Sequence, residues 1–218
     1  MARRIVDVTL ASLALLAAAP VLAIAALAIR LASPGPVLHR ATRAGRDGRP
    51  FTMLKLRTMH VAPPGEGGSR ITGRADPRVF RVGALLRRTK IDELPQLVNV
   101  LRGEMAIVGP RPEDPEIVRR HYSPAHRETL RVLPGLLSPG SIYQFTHGDA
   151  LLGDGDPETA YAARLLPVKL ELERVYVRHA SLGYDLALIA RAARAIVRVG
   201  LLRRSFPEPP ELRRIPAD

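Results

Sequence analysis

Hydrophobic positions are spread unevenly along this chain, and the densest run comes first. From Val8 to Ile29 no charged side chain interrupts "VTLASLALLAAAPVLAIAALAI". Roughly 20 apolar residues in a row suffice to cross a bilayer as a helix. Three organisations fit the run. The first is a cleaved secretory signal with "MARR" as its charged start and "AIA" as its cleavage site; Asp7 at the head of the run and the run's length stand against it. The second is a plain spanning anchor held inside by Arg3 and Arg4, which would put an arginine-rich remainder outside the cytoplasm. The third is a helix that enters one leaflet, breaks and returns. Arg3, Arg4 and Arg30 flank the run on both sides, and Pro20 lies near its centre, where a proline removes a backbone hydrogen bond and kinks a helix. Each half is then too short to cross alone.

Beyond Ser33 the pattern changes. "SPGPVLHRATRAGRDGRPF" reads as a turn and then a short β-hairpin with "GRDGRP" at its tip, and "FTMLKLRTM" alternates as a strand. "HVAPPGEGGSRITGRAD" has no apolar period and reads as a flexible loop. "DPRVFRVGALLRRT" predicts a helix opening at Asp76, with Asp76 as N-cap and Pro77 in the first turn. "DELPQLVNVLRG" predicts a second helix, capped by Asp92 and stopped at Gly103. "EMAIVGPRPEDPEI" is a short apolar run that turns at Gly109 into a rigid Pro-Arg-Pro. A helix broken near Pro124 follows. "GLLSPGSIYQFTHGDALLGDGDPE" reads as loop with some strand. Two helices close the pattern, "PETAYAARLLPVKLELERVYVRH" and "SLGYDLALIARAARAIVRVGLLRR". In the last, Leu186, Ile189, Ala193 and Ile196/Val197 share one face and Arg191, Arg194 and Arg198 another. Such a helix either lies on a membrane or packs on the core with its arginines solvated. The proline-rich stretch after Ser205 reads as a disordered tail.

Composition sharpens this picture in three ways. The net charge is +12 and Lys55, Lys90 and Lys169 are the only lysines, so the excess is arginine, whose planar fork matches phosphates and carboxylates. An anionic membrane surface, a phosphate-bearing substrate or a nucleic acid would suit it. The absence of cysteine excludes disulfides, thiolate catalysis and thiolate-bound zinc. Scarce aromatics and no tryptophan count against a base-stacking nucleic-acid module.

The candidate chemistry concentrates in "TKIDELPQLVNVL". An acidic pair before a proline is ordinary helix capping. The same pair, Asp92 and Glu93, is crowded by Arg87, Arg88 and Lys90, and a helix start with added cations makes a phosphate site in which a carboxylate stays ionised. An ionised carboxylate attacks phosphorus to form an acyl-phosphate and so divides one displacement into two. Pro110-Arg111-Pro112 puts Arg111 on a stiff backbone suited to clamping a diphosphate. Asp92 and Glu93 are also the natural carboxylates for Mg²⁺ shared with substrate phosphates, ahead of Glu104 and Glu113. No P-loop, GxGxxG, histidine metal cluster or Ser–His pair is present in the sequence; His39, His60 and His147 read as solvated or structural.

In chain order, "SPGPVLHRATRAGRDGRPFTMLKLRTM", "DPRVFRVGALLRRTKIDELPQLVNVLRGEMAIVGPRP", "VLPG" and "KLELERVYVRHASLGYDL" resemble the bacterial sugar transferase family, the monotopic polyprenyl-phosphate phosphoglycosyl transferases, in their minimal form. The resemblance covers about residues 3–190. It implies an α+β, mostly helical fold: a small cytosolic domain with a short β-hairpin, amphipathic surface helices and an N-terminal re-entrant membrane helix broken at Pro20. The implied divisions are 1–34 for the membrane helix–break–helix, 35–204 for the catalytic domain and 205–218 for the tail. It implies transfer of sugar-1-phosphate from a UDP-sugar to undecaprenyl phosphate at the cytoplasmic face of the bacterial inner membrane, with release of UMP, as the first membrane step of surface-glycan synthesis. Asp92 matches the nucleophile, Glu93 its dyad partner, and Mg²⁺ the ion that offsets diphosphate charge. Arg111, with Pro110 and Pro112, matches the site's Pro-Arg-Pro, while Arg57 and Arg88 match phosphate contacts. No nucleic acid is implied, and a homodimer is left open. This sequence departs from the pattern at Ala19-Pro20, where Ser-Pro is common, and at "PGLLSPGSIYQFTHGD", which helps shape the donor site in relatives. The competing reading is a catalytically silent scaffold on the membrane.

Overall fold

The computed structural model describes residues 2–61, 69, 71–73, 76–153, 155–201 and 205–215. Most of the loop expected before Asp76, and positions 202–204 and 216–218 of the end, lie outside these. The described chain is mostly helical, as expected, with two small sheets. Strands β1 (Leu38–Ala44) and β2 (Pro50–Leu56) form the predicted antiparallel hairpin, with Ala44 opposite Pro50 and Leu38 opposite Leu56. Its tip turns at Asp47 and Gly48, both at positive φ.

Helix α1 (Ala2–Ala32) is a single helical element with Pro20 inside it; the proline does not end the helix as the sequence suggested. It is the one described helix long and apolar enough to cross a membrane. Much of its apolar surface faces outward, Leu16 being 75% and Leu31 80% exposed. Yet both ends are tied to the same domain. At the start, the Arg4 guanidinium donates to the carbonyls of Val100 and Leu101 at 2.6 and 2.9 Å. The Asp7 carboxylate accepts from the Ile107 amide at 3.0 Å, and Arg3 pairs with Asp185 at 2.9 Å. Ala11 is buried in a core with Leu97, Val100, Met105 and Leu188. At the far end, Ala25 and Ile29 are buried with Leu56, Phe80 and Leu86.

The carboxylate-bearing junction lies between α2 (Arg81–Thr89) and α3 (Gln96–Arg102). Helix α2 begins later than the sequence suggested. Asp76 does not cap it; its carboxylate accepts from the amide and guanidinium of Arg78, closing a local turn, and the helix starts after Phe80. At Gly83 a side chain would run into the Thr58 carbonyl, so α2 lies directly on the chain leaving the hairpin. Helix α3 ends as predicted at Gly103, at φ 82°.

A second sheet pairs β3 (Ala106–Val108) in parallel with β4 (Gly135–Leu137), the strand expected at the head of the segment beginning "GLLSPG". A Cβ on Gly135 would collide with the Gly109 backbone, so two glycines let these segments touch just before Pro110. Helix α4 (Pro115–His121) and a 3₁₀ stretch, His126–Arg131, reproduce the expected break. The rest of that segment, expected as loop with some strand, forms α5 (Pro139–Leu152) instead, started by a capping box in which Ser138 and Ser141 bond each other's backbone amides. Helices α6 (Pro157–Ala160), α7 (Leu166–His179) and α8 (Leu182–Gly200) follow, with a π turn between the first two. Helix α8 buries Leu188, Ala192 and Ala195 rather than the Leu186/Val197 face. After it, in the stretch expected as tail, Glu211 is buried and accepts from Arg191 at 2.6 and 2.9 Å and from the Tyr184 hydroxyl at 2.6 Å.

Candidate active site

A cleft of about 720 Å³ opens over the α2–α3 junction. Strand alternation brings Met53 and Lys55 of β2 into one wall, α2 adds Arg87 and Arg88, and α5 forms the facing wall with Ser141, Gln144, Phe145 and Thr146. Arg43, Lys90 and Arg111 complete a cationic lining around Asp92 and Glu93.

The backbone explains why the acidic pair points inward. Lys90 is left-handed at φ 61° and ends α2; Ile91–Glu93 then make one 3₁₀ turn before Pro95 leads into α3. Asp92 therefore does not cap α3, whose first turn has no side-chain cap. It is only 3% exposed, and its Oδ1 is buried without a hydrogen-bond partner among the described residues. Leaving a buried carboxylate oxygen unpaired is costly, which marks it as an oxygen kept open for something else. Glu93 is fully engaged: its Oε1 accepts from Arg111 Nη2 at 2.7 Å and Lys90 Nζ at 3.1 Å, and its Oε2 faces Arg111 Nη1 at 3.4 Å.

These environments separate the pair electrostatically. Burial, followed by the charge on Glu93, raises the Asp92 pKa, and Lys55, Lys90 and Arg87 pull it back only in part. The cations expected to keep this carboxylate ionised are in place, but desolvation outweighs their pull on its acidity. Burial acts on Glu93 as well, but Arg111 and Lys90 override it and hold its carboxyl well below the usual range. Lys55, which the sequence reading passed over, is lowered by burial to about 8 despite Glu93 and Asp92 nearby. The clue to it was available, since a lone lysine in an alternating strand must face one side of the sheet.

Arg111 is fixed from behind. Its amide donates to the Glu173 carboxylate at 3.2 Å, which also accepts from the Ser138 hydroxyl at 2.7 Å. Burial pushes the Glu173 carboxyl up to about 7. Pro112 lines the cleft, whereas Pro110 is buried outside its lining and its carbonyl accepts from the Gly135 amide at 2.9 Å. Arg88 lines the cleft and is exposed, with no ion-pair partner among the described residues. Arg57 is not brought to the site. Its guanidinium is buried at the exit of α1, donating to the Ser33 hydroxyl and carbonyl at 2.8 and 2.7 Å and to the Pro36 carbonyl at 2.5 Å. The expected phosphate contact is instead a clamp between the apolar helix and the hairpin.

Magnesium finds a limited donor set. Among the described residues there is no group of three or more acidic or histidine side chains placed to hold a metal. Glu104 accepts from Asn99 at 2.6 Å, and Glu113 is taken by Lys169 and Tyr161. Asp92 has an unshared oxygen, while Glu93 would have to release a cation first. That set suits an ion held largely by substrate phosphates with one or two carboxylates, the usual magnesium arrangement.

The tail contributes one more surface. Phe206 lines the cleft, lies edge-on to His147 with centroids 6.4 Å apart, and carries Arg198 at 5.6 Å from its centroid.

Known proteins resemble this chain over most of its length. The chain is 39% identical over 198 residues to the UDP-glucose:undecaprenyl-phosphate glucose-1-phosphate transferase of Caulobacter vibrioides, covering 89% of this chain and 69% of that protein. It is 38% identical to the protein of the same name in Escherichia coli, covering 86% of this chain but 38% of that one. An exopolysaccharide production protein of Rhizobium leguminosarum is 47% identical over 50% of this chain and 54% of its own length. The pattern that defines bacterial sugar transferases matches residues 1–199, leaving Phe206 and Glu211 beyond it. This chain is a transferase, and it belongs to the bacterial sugar transferase family.

Proposed function

We propose that this protein transfers sugar-1-phosphate from a UDP-sugar to undecaprenyl phosphate through a covalent intermediate on Asp92. The observation that carries this reading is the unshared, buried oxygen of Asp92 inside a cation-lined cleft, next to a Glu93 pinned by Arg111 and Lys90. An Asp92 oxygen attacks the sugar-side phosphorus of the donor. The bond from that phosphorus to the bridging oxygen breaks, and UMP leaves with the oxygen and the electron pair. The lipid phosphate then attacks the same phosphorus, the aspartyl–phosphorus bond breaks, and the Asp92 carboxylate is restored. Lys55, Lys90, Arg88 and Arg111 hold the diphosphate and its developing charge. Magnesium bound between Asp92 and the donor phosphates would offset further negative charge.

The apolar helix supports a one-leaflet anchor. A straight helix of 31 residues would be about 45 Å long, more than the roughly 30 Å hydrocarbon core. Because Arg4 and Ile29, near its opposite ends, both dock on one domain, both ends belong on the same side of the membrane. We place the domain on the cytoplasmic face, where nucleotide sugars are available.

The test is purified protein with UDP-sugars and Mg²⁺, first alone and then with undecaprenyl phosphate. UMP release stoichiometric with enzyme before the lipid is added, and turnover afterwards, is the expected result. Neither binding nor release across a panel of UDP-sugars would favour the silent scaffold.

Lys55 predicts the alkaline limb. With its pKa lowered to about 8, it loses its proton above that pH and no longer attracts the diphosphate. The kcat/KM for UMP release, which reports the free enzyme, should fall above about pH 8. Lys55→Arg, which stays charged, should flatten that limb; an unchanged limb would remove Lys55 from the phosphate site.

A further inference from the structure

Beside the cleft lies a smaller groove of about 170 Å³ whose walls are aliphatic. Ile91 comes from the turn before Asp92, Leu136 from β4, Ile142 and Phe145 from α5, and Ala195 and Ile196 from α8. Groove and cleft are continuous: Lys90, Glu93, Arg111, Ser141 and Phe145 line both. Positive charge is confined to that shared rim, where Lys90 and Arg111 flank Glu93. At its other limits the groove borders exposed apolar surface. Thr89 lies one helical turn after Leu85, 54% exposed, and Ile196 precedes Val197, 60% exposed. Helix α2, which supplies Thr89 to the groove, packs its Leu86 against Ala25 and Ile29 of α1.

We propose that this groove binds the polyprenyl chain of the acceptor next to its phosphate, and that Ala195 and Ile196 of α8 are part of the acceptor site. The inference rests on the proposed lipid-phosphate transfer and names the place where the acceptor enters. A UDP-sugar is polar throughout and gains nothing from an aliphatic trough. The acceptor alone joins an anionic head to a long hydrocarbon, which matches a cationic rim leading into apolar walls and then toward a membrane. Its phosphate then approaches the Asp92 side from the Lys90–Arg111 rim, while the donor occupies the larger cleft. The small side chain at Ala195 keeps the trough open where α8 faces α5.

The experiment separates the half-reactions. Ala195→Phe places a ring in the groove and leaves every cleft residue in place. Stoichiometric UMP release without lipid should stay within about 2-fold of the parent, while transfer to undecaprenyl phosphate should fall by about 10- to 100-fold, the range a misfilled apolar pocket commands. Equal transfer by the variant, or equal loss of both half-reactions in protein that melts as the parent does, would overturn the proposal. Should the variant fail to fold, the unaltered protein answers the same question. A short isoprenyl phosphate carrying a photoreactive group should label peptides containing Ile142 or Ala195–Ile196, and labelling confined to α1 or the outer surface would overturn it. Absence of UMP release in the parent would instead reject the underlying reaction.

Discussion

Asp92→Asn is expected to abolish UMP release and, at the same time, to make the protein more stable. The loss should be on the order of 10⁴- to 10⁶-fold, the scale on which removal of a covalent nucleophile is felt. Asparagine keeps the size of the side chain but cannot form the acyl-phosphate. The stability gain follows from the sign of the shift. Burial raises the Asp92 pKa, so the ionised carboxylate is less favourable in the folded chain than in the unfolded one. At neutral pH the fold carries that cost, and asparagine removes it. Below the unfolded pKa both states hold the proton, and the gain should vanish. Thermal melts of both proteins at pH 7 and near pH 3, with UMP release measured in parallel, check this. Opposite movements of activity and stability are the mark of a site held at the expense of the fold. A variant both inactive and unstable would point to a structural carboxylate.

Arg111→Ala should be the next most damaging substitution, for a different reason. It removes the strongest partner of Glu93 and leaves a buried carboxylate hydrogen-bonded to Lys90 alone, with Lys55 nearby. Breaking a buried pair from one side costs about 3–5 kcal/mol, and losing a charged donor at the reacting phosphates costs about 10²- to 10³-fold in kcat. Arg111→Lys retains charge but not the fork, so it should recover stability more than rate. The Arg111→Ala/Glu93→Gln double variant separates these effects: melting temperature should return toward the parent while turnover stays low. A double variant that regains turnover would show that Arg111 serves Glu93 alone.

Much of the fold is written locally. The hairpin is set by "GRDGRP" between alternating strands, and the end of α3 by Gly103, because turns and caps depend on a few neighbouring residues. Helix α5 was not legible. Its glycines, histidine and threonine argue against a helix, and the capping box needs Ser138 and Ser141 read together. The late start of α2 hides in the choice of Asp76 to bind Arg78. After α8, proline content suggests disorder, but the buried Glu211 carboxylate finds Arg191 and Tyr184, a contact no local pattern contains. The acidic pair stands out in the sequence by its company of cations. Its decisive property, one carboxylate pinned and the other left open, depends on Lys55 and Arg111 arriving from β2 and the β3–β4 crossing. Arg57 shows the converse: an arginine in a phosphate-binding context is recognisable by type, but only the fold reveals that carbonyls have already used its donors.

Covalent capture on Asp92 is the central claim, and peptide mass spectrometry of enzyme quenched with UDP-sugar and Mg²⁺ in the absence of lipid tests it most directly. A sugar-phosphate adduct on the peptide containing Asp92, discharged when undecaprenyl phosphate is added, is the predicted result. Product formed with no adduct at any time, or an adduct carried on another residue, would contradict it.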